Sequence, residues 1–249
     1  MSHCRIFKSI YYSMSGHSKW STIKRKKGIK DQQRSSVFSK MARLITTAVH
    51  EGGGVTDPEN NFKLRLAIER AKSVNMPRDT IDRAIEKAGG GEGQQLKEIL
   101  YEGFGPGGVA LLISVITDNT NRTHADVKQA LEKQGGKMGG HNAVAYLFQK
   151  CGVVVFNASS ASEEKIFAFA DKIGALDIEE ESERYVIYVP FENIGKVKEL
   201  SSDIQAQEID VFYRPLTTVD PKGLQDKIET LIDRLEDPEE VHTVYTNVR

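Results

Sequence analysis

Residues 19–34 carry seven basic side chains, Lys19, Lys24, Arg25, Lys26, Lys27, Lys30 and Arg34, against one acid, Asp31. The only tryptophan of the 249-residue chain, Trp20, lies among them. Cations at this density neutralise phosphates, and a large aromatic offers a face for a flat base, so the segment suits a polyanion that carries bases. It suits a small anionic substrate poorly. Contacts of this kind supply affinity without sequence choice. Gln32, Gln33 and Arg34 have the chemistry to read base edges, but no helix-turn-helix signature surrounds them, and weak sequence preference is expected. Three other readings stand beside this one: a solvated charged arm, a nuclear-import signal at Lys24, Arg25, Lys26 and Lys27, and Trp20 as a core residue.

Other residue groups offer chemistry on paper. Asp118, His124 and Asp126 are the side chains from which a metal-dependent nuclease site could be imagined. Asp118 sits in a helix-cap cluster, however, and residues 124 and 126 point in different directions on a helix. Apposed ligands are therefore lacking, and no metal or other cofactor is expected. Tyr101, Glu102 and His17 have no nucleophile–base pairing around them. The glycine-rich stretch 103–108 lacks the Gly-Lys-Ser/Thr ending of a nucleotide loop and reads as a tight turn. Residues 135–140, with Lys137, are more open to an anion but read first as a helix stop. The chain is thus expected not to be an enzyme and to take no small-molecule substrate.

Charge is divided unevenly. Residues 1–90 carry 18 Lys and Arg against 8 Asp and Glu, while residues 91–249 carry 16 against 27, so a net of +10 faces a net of −11. Such asymmetry points to nucleic-acid or membrane contact. No apolar run approaches the roughly 20 residues that span a bilayer. With a Debye length of about 10 Å at 0.1 M salt, distant acidic domains cannot cancel a basic face. Cys4 and Cys151 are far apart and form no metal or redox spacing, which fits a reducing compartment. Residues 1–13 read first as an extension upstream of a second start at Met14, with a very short targeting leader as the alternative.

The elements that must position these residues follow from periodicity. Val37, Met41, Leu44, Ile45 and Ala48 form one helical stripe, ended by three glycines. Lys40 and Arg43 lie off that stripe and are expected to extend the basic face. Asp57-Pro58 reads as the cap and first position of a second helix, and a third begins between Pro77 and Thr80. These make a small basic helical domain over 14–91, closed by a glycine-rich linker. Strands are expected at 98–103 and 109–116, a helix at 122–133 with Ala125, Val127, Ala130 and Leu131 inward, and a strand at 143–148. Residues 150–216 run strand, helix, strand, strand, helix, strand, the ferredoxin-like order β-α-β-β-α-β, with Ile209, Val211 and Tyr213 alternating on the last strand. A helix at 222–235 and a strand at 241–248 have no partner in that unit and return to complete the middle α/β domain, 92–149 plus 217–249. The fold class is α+β.

Three motifs resemble the YebC/PmpR family: Gly16-His17-Ser18-Lys19-Trp20 followed by Ile23-Lys24 and Lys26-Lys27; Tyr101-Glu102-Gly103-Phe104-Gly105-Pro106-Gly107-Gly108; and Thr117-Asp118-Asn119 with Asn121-Arg122-Thr123, then Gly135-Gly136. Similarity runs from Met14 to near the C-terminus. Gly139-Gly140-His141-Asn142 departs from the Gly-Glu-Ser-Gly-like turn more common there. The resemblance implies an N-terminal helical domain, a discontinuous middle α/β domain and an inserted ferredoxin-like domain. It further implies a cytoplasmic regulator of gene expression, usually described as a DNA-binding transcriptional regulator. A mitochondrial relative acts as a translational activator and bacterial relatives are connected with the ribosome. Two expectations follow for the partner: promoter DNA, or RNA and the ribosome in a translation factor. A metal-dependent enzyme acting on nucleic acid is the third reading. The residues expected to touch nucleic acid are Lys19, Trp20, Lys24, Arg25, Lys26, Lys27, Lys30, Arg34, Lys40 and Arg43.

Overall fold

The computed structural model describes residues 31–90, 96–159, 161–181 and 183–249, with side chains in the first helix from residue 35 onward. The described residues fall into two compact units, one holding 31–149 and 214–249, the other 150–213. The chain is α+β: its described residues form helices and two four-stranded sheets.

In the larger unit the apolar stripe of α1 (Asp31–Glu51) buries Met41, Ile45, Ala48 and Val49. They pack against Leu64, Ala67 and Ala71 of α2 (Phe62–Ser73), and against Ile81 and Ala88 of α3 (Arg78–Gly89). The second helix starts later than Asp57-Pro58 suggests. The Asp57 carboxylate accepts from Glu59 N at 3.0 Å and Asn60 Nδ2 at 2.6 Å, which makes a local turn in place of a cap. Asn61 is the cap, its Oδ1 accepting from Leu64 N at 3.0 Å. Its Nδ2 donates to Ala48 O at 2.9 Å and Val55 O at 3.0 Å, and so ties the end of α1 to the start of α2. That close approach requires Gly52, where a Cβ would stand 2.2 Å from Asn61 Nδ2.

The first sheet has the order β3-β1-β2-β8, built from β1 (Lys97–Phe104), β2 (Ala110–Thr117), β3 (Lys137–Met138) and β8 (Val241–Thr246). β1 and β2 are an antiparallel hairpin, with Tyr101 opposite Ile113. The chain reverses at Pro106–Gly108, where Gly107 has φ 74°. Val109, Leu111, Ile113 and Val115 face a core shared with Val127 and Leu131 of α4 (Thr120–Lys133) and with Ile228, Leu231 and Leu235 of α7 (Gln225–Glu236). The buried stripe of α4 is Thr123, Val127 and Leu131, and Ala125 is exposed. Ala110, Leu112, Ser114 and Ile116 are buried as well, and α1 lies against β2. A strand covered on both faces loses polar alternation, which explains why its residues from Val109 to Ile116 are apolar except Ser114.

Residues 143–148 do not form the expected strand. They make a short 3-10 turn at Ala145–Leu147, and the strand β4 (Phe148–Asn157) begins where that turn ends. The backbone N–H groups of Val144 and Ala145, which a sheet partner would need, donate to a side chain instead.

The smaller unit holds β4, α5 (Glu163–Ile173), β5 (Asp177–Glu181), β6 (Arg184–Pro190), α6 (Val197–Leu200) and β7 (Glu208–Pro215), with strand order β5-β6-β4-β7. This is the arrangement expected of the ferredoxin-like order. Ile194, Val197 and Ile204 are buried, yet the second helix is only one α turn after a 3-10 stretch, Phe191–Lys196. Gly195 weakens helix propagation there, and Asn193 Nδ2 donates to Ile173 O at 3.0 Å, pinning the irregular turn. On β7 the deeper face is that of Asp210 and Phe212, with Ile209, Val211 and Tyr213 half-buried. Phe212 packs on Tyr188, centroids 5.8 Å apart, and the Asp210 carboxylate is held by Val211 N at 2.8 Å. Among the described residues, no helix is long and apolar enough to cross a membrane.

Candidate nucleic-acid interface

Of the ten residues expected to touch nucleic acid, Lys19, Trp20, Lys24, Arg25, Lys26, Lys27 and Lys30 lie outside the described residues. Arg34 falls at the start of α1, close behind Gln32 and Gln33. Lys40 and Arg43 follow on the same helix, but they do not extend an open basic face. Lys40 Nζ donates to the backbone carbonyl of Glu236 at the end of α7. Arg43 Nη2 stands 3.9 Å from Glu239 and 4.0 Å from Glu240 in the turn that follows. Both cations are half-buried, and both face carboxylates of the acidic half of the chain.

The seam continues on α2 and β8. Arg70 Nη2 donates to Thr243 Oγ1 at 3.0 Å. Near both Arg70 and Lys40 lies His242, whose two ring nitrogens have essentially no accessible area and no hydrogen-bond partner, although the residue keeps part of its surface open. It is the nitrogens that titrate. Their burial, and secondarily the nearby charges of Arg70 and Lys40, hold the imidazole well below the ordinary 6.5. Burial also lowers the Lys40 ammonium, against the opposing pull of Glu236, Asp237, Glu239 and Glu240.

The family-like motifs of the middle domain turn out to be devices of local structure. Asn119 caps α4 through Arg122 N at 3.1 Å, and Thr117 Oγ1 meets Thr123 Oγ1 at 2.8 Å. Arg122 bridges Asp118 at 3.0 Å and Glu240 at 3.2 Å, so Glu240 faces both Arg43 and Arg122. Asp118 is thereby an ion-pair partner, and His124 packs edge-on against Tyr101 at 5.6 Å between centroids. Among the described residues, no group of three His, Cys, Asp or Glu could hold a metal ion. The 103–108 stretch is the hairpin turn, closed by Gly105 N to Val109 O at 2.8 Å.

Glu102, which the sequence offers only as an unpaired catalytic candidate, has a structural role that spacing does not show. Glu102 is buried, and its carboxylate accepts from three backbone N–H groups: Asn142 at 2.6 Å, Val144 at 2.7 Å and Ala145 at 2.8 Å. Burial raises its pKa, but the three donors and the nearby His141 outweigh that and hold the carboxyl below the ordinary 4.5. The signal available in sequence was slight: one of two acids, with Glu98, on a strand that also carries apolar residues. The loop that it grips ends in Tyr146, which is 64% exposed.

Residues 18–91 match the family model described as the TACO1/YebC protein N-terminal domain, and residues 96–248 match the TACO1/YebC second and third domain. A "Probable transcriptional regulatory protein" of Finegoldia magna is 42% identical over 239 residues, spanning 94% of this chain and 98% of that one. A protein of the same description from Syntrophus aciditrophicus is 44% identical over 240 residues, spanning 94% and 95%. Among solved structures, a conserved hypothetical protein from Aquifex aeolicus is similar with a TM-score of 0.78 and 36% identity, covering 90% of this chain and 93% of that one.

Proposed function

Since the chain belongs to the TACO1/YebC family, we propose that it is a non-enzymatic, nucleic-acid-binding regulator of gene expression, acting in the cytoplasm on DNA as a regulator of transcription. The observation that carries this reading is the run of seven cations over 19–34 in a chain whose remaining domains are acidic. The names of the relatives, which describe transcriptional regulators, point the same way.

The physical route is short. Lys19, Lys24, Arg25, Lys26, Lys27, Lys30 and Arg34 neutralise phosphates and release counterions, which gives strong, salt-sensitive affinity. Acidic domains repel the same backbone and orient the molecule with its cationic end inward. Lys40 and Arg43, engaged with Glu236, Glu239 and Glu240, set the orientation of α1 behind that arm and leave phosphate contact to the residues before them. A second reading, contact with RNA or the ribosome in translation, is favoured by the exposed aromatic Tyr146, because stacking needs unpaired bases.

Crosslinking in cells, followed by sequencing of both the bound DNA and the bound RNA, tests the proposal. Enrichment of promoter DNA is expected. Recovery of RNA alone overturns the transcriptional part in favour of the second reading, and recovery of neither overturns both.

A further inference from the structure

We propose that the loop 139–147 is a second nucleic-acid contact, in which Tyr146 stacks on an unpaired base of a single strand, loop or bulge. The inference rests on the nucleic-acid reading above and adds to it a site far along the chain from the cationic arm.

The first observation is how firmly the loop is held. Gly139 N donates to Glu102 O at 2.8 Å, and the Glu102 carboxylate then takes the N–H groups of Asn142, Val144 and Ala145. A buried carboxylate is costly unless it is fully bonded, and charge-assisted bonds to backbone N–H groups are among the strong ones. Asn142 is held at φ 60°, a left-handed conformation uncommon outside glycine. A mere connection between β3 and β4 needs none of this. The effect is a loop with one backbone course, and hence one direction in which its outward side chain is offered.

The second observation is what it offers. Val144 and Phe148 turn inward and are buried, whereas Tyr146 is the most exposed of the large hydrophobic side chains among the described residues. Leu216, 56% exposed, lies on the segment whose N–H bonds Leu147 O at 2.8 Å. A rigid aromatic with two torsions is a ready stacking platform, since little freedom is lost when it is covered.

The third observation is charge. Residues 91–249 carry 27 acids, yet 133–149 contain none, while Lys133, Lys137 and His141 fall within that stretch. An aromatic tip in a stretch of chain that holds two lysines and no acid, with the one carboxylate bonded to it, Glu102, buried and taken up by N–H groups, complements a polyanion with flat bases. A stable protein interface buries about 800 Å² per partner, far more than Tyr146 and Leu216 present. Within a duplex both faces of each base are already stacked, so the occupant is an unpaired one.

The test measures binding of the full chain to a labelled single-stranded oligonucleotide, as RNA and as DNA, and to the duplex of the same sequence, across a salt series. Tyr146→Ala is expected to weaken single-strand binding about tenfold, with the duplex affinity and the salt slope unchanged, while Tyr146→Phe stays within about twofold of the parent. A circular-dichroism melt confirms that each variant is folded. Equal single-strand binding by Tyr146→Ala and the parent overturns the proposal, as does an equal loss on duplex and single strand. In a parallel arm, Lys24, Arg25, Lys26 and Lys27 are all replaced by Ala. If that variant loses affinity while Tyr146→Ala does not, this proposal falls and the nucleic-acid reading stands. If the parent binds no nucleic acid, both fall together.

Discussion

Lys40 on α1 donates its ammonium to the backbone carbonyl of Glu236 at the end of α7, joining residues 196 apart in sequence. Around that bond Arg43 faces Glu239 and Glu240, and Glu240 also faces Arg122. The charge division of the sequence is therefore not a clean separation of two poles. Some cations of the basic half hold the helical segment to the acidic half, and their positive charge is spent there.

Lys40→Met removes the donor while keeping most of the apolar stem. It removes one donor from the Glu236 carbonyl, and a typical hydrogen bond of this kind contributes about 0.5–1.5 kcal/mol. Part of that is offset, because burial already penalises the ammonium. The expected outcome is a modest fall in stability on urea unfolding, with nucleic-acid affinity and its salt slope unchanged. A slope flattened by about 0.9 would instead show that Lys40 touches a phosphate.

His242 makes stability depend on mild acidity. The folded pKa lies well below 6.5, whereas the unfolded chain titrates near that ordinary value. As pH falls below about 6.5 the unfolded state takes up a proton that the folded state refuses, so stability is fully present above this pH and declines below it. The steepest loss is about 1.4 kcal/mol per pH unit. Denaturant melts between pH 7 and pH 5.5 should show the decline. His242→Phe, which fills the same space without titrating, should flatten it, since neither ring nitrogen makes a hydrogen bond to lose.

How far the sequence could be read depended on the range of each interaction. The stripe of α1 and the succession of strands and helices along the smaller unit rest on local periodicity, and they stand as expected. Asp57 and Asn61 are both good caps, and choosing between them required knowing that Asn61 also reaches Ala48 and Val55. Lys40 and Arg43 looked free because the helix shows only which face they share, while their partners come from the far end of the chain. Glu102 was invisible as an anchor for the same reason: its three donors lie about 40 residues away. Period-two alternation misled on β7 because both of its faces are at least partly covered.

Glu102→Gln tests the anchor. A glutamine oxygen can still accept from Val144 and Ala145, but its amide nitrogen then confronts the Asn142 N–H, donor against donor. A loss of about 1–3 kcal/mol is expected, together with faster amide hydrogen exchange at Asn142, Val144 and Ala145. The parent should show the same loosening in acid. A carboxyl held below 4.5 in the fold contributes stability that is present above that pH and disappears as pH falls through the folded value. Unchanged exchange in the variant would mean that the loop is fixed by other contacts.

The cationic arm makes the most direct forecast. Duplex binding should fall linearly on a log–log plot against salt, with about 0.9 log unit of slope for each phosphate neutralised. Replacing Lys24, Arg25, Lys26 and Lys27 together with Ala removes up to four such contacts, so the slope should lessen by as much as about 3.6. Arg43→Ala should leave it unchanged, because Glu239 and Glu240 already occupy that guanidinium. The two variants separate charge that faces the ligand from charge that holds the fold. A slope that moves with Arg43 and not with the quadruple change would shift the phosphate-binding surface from the arm to α1, and the proposed orientation of the molecule on its ligand would have to be reversed.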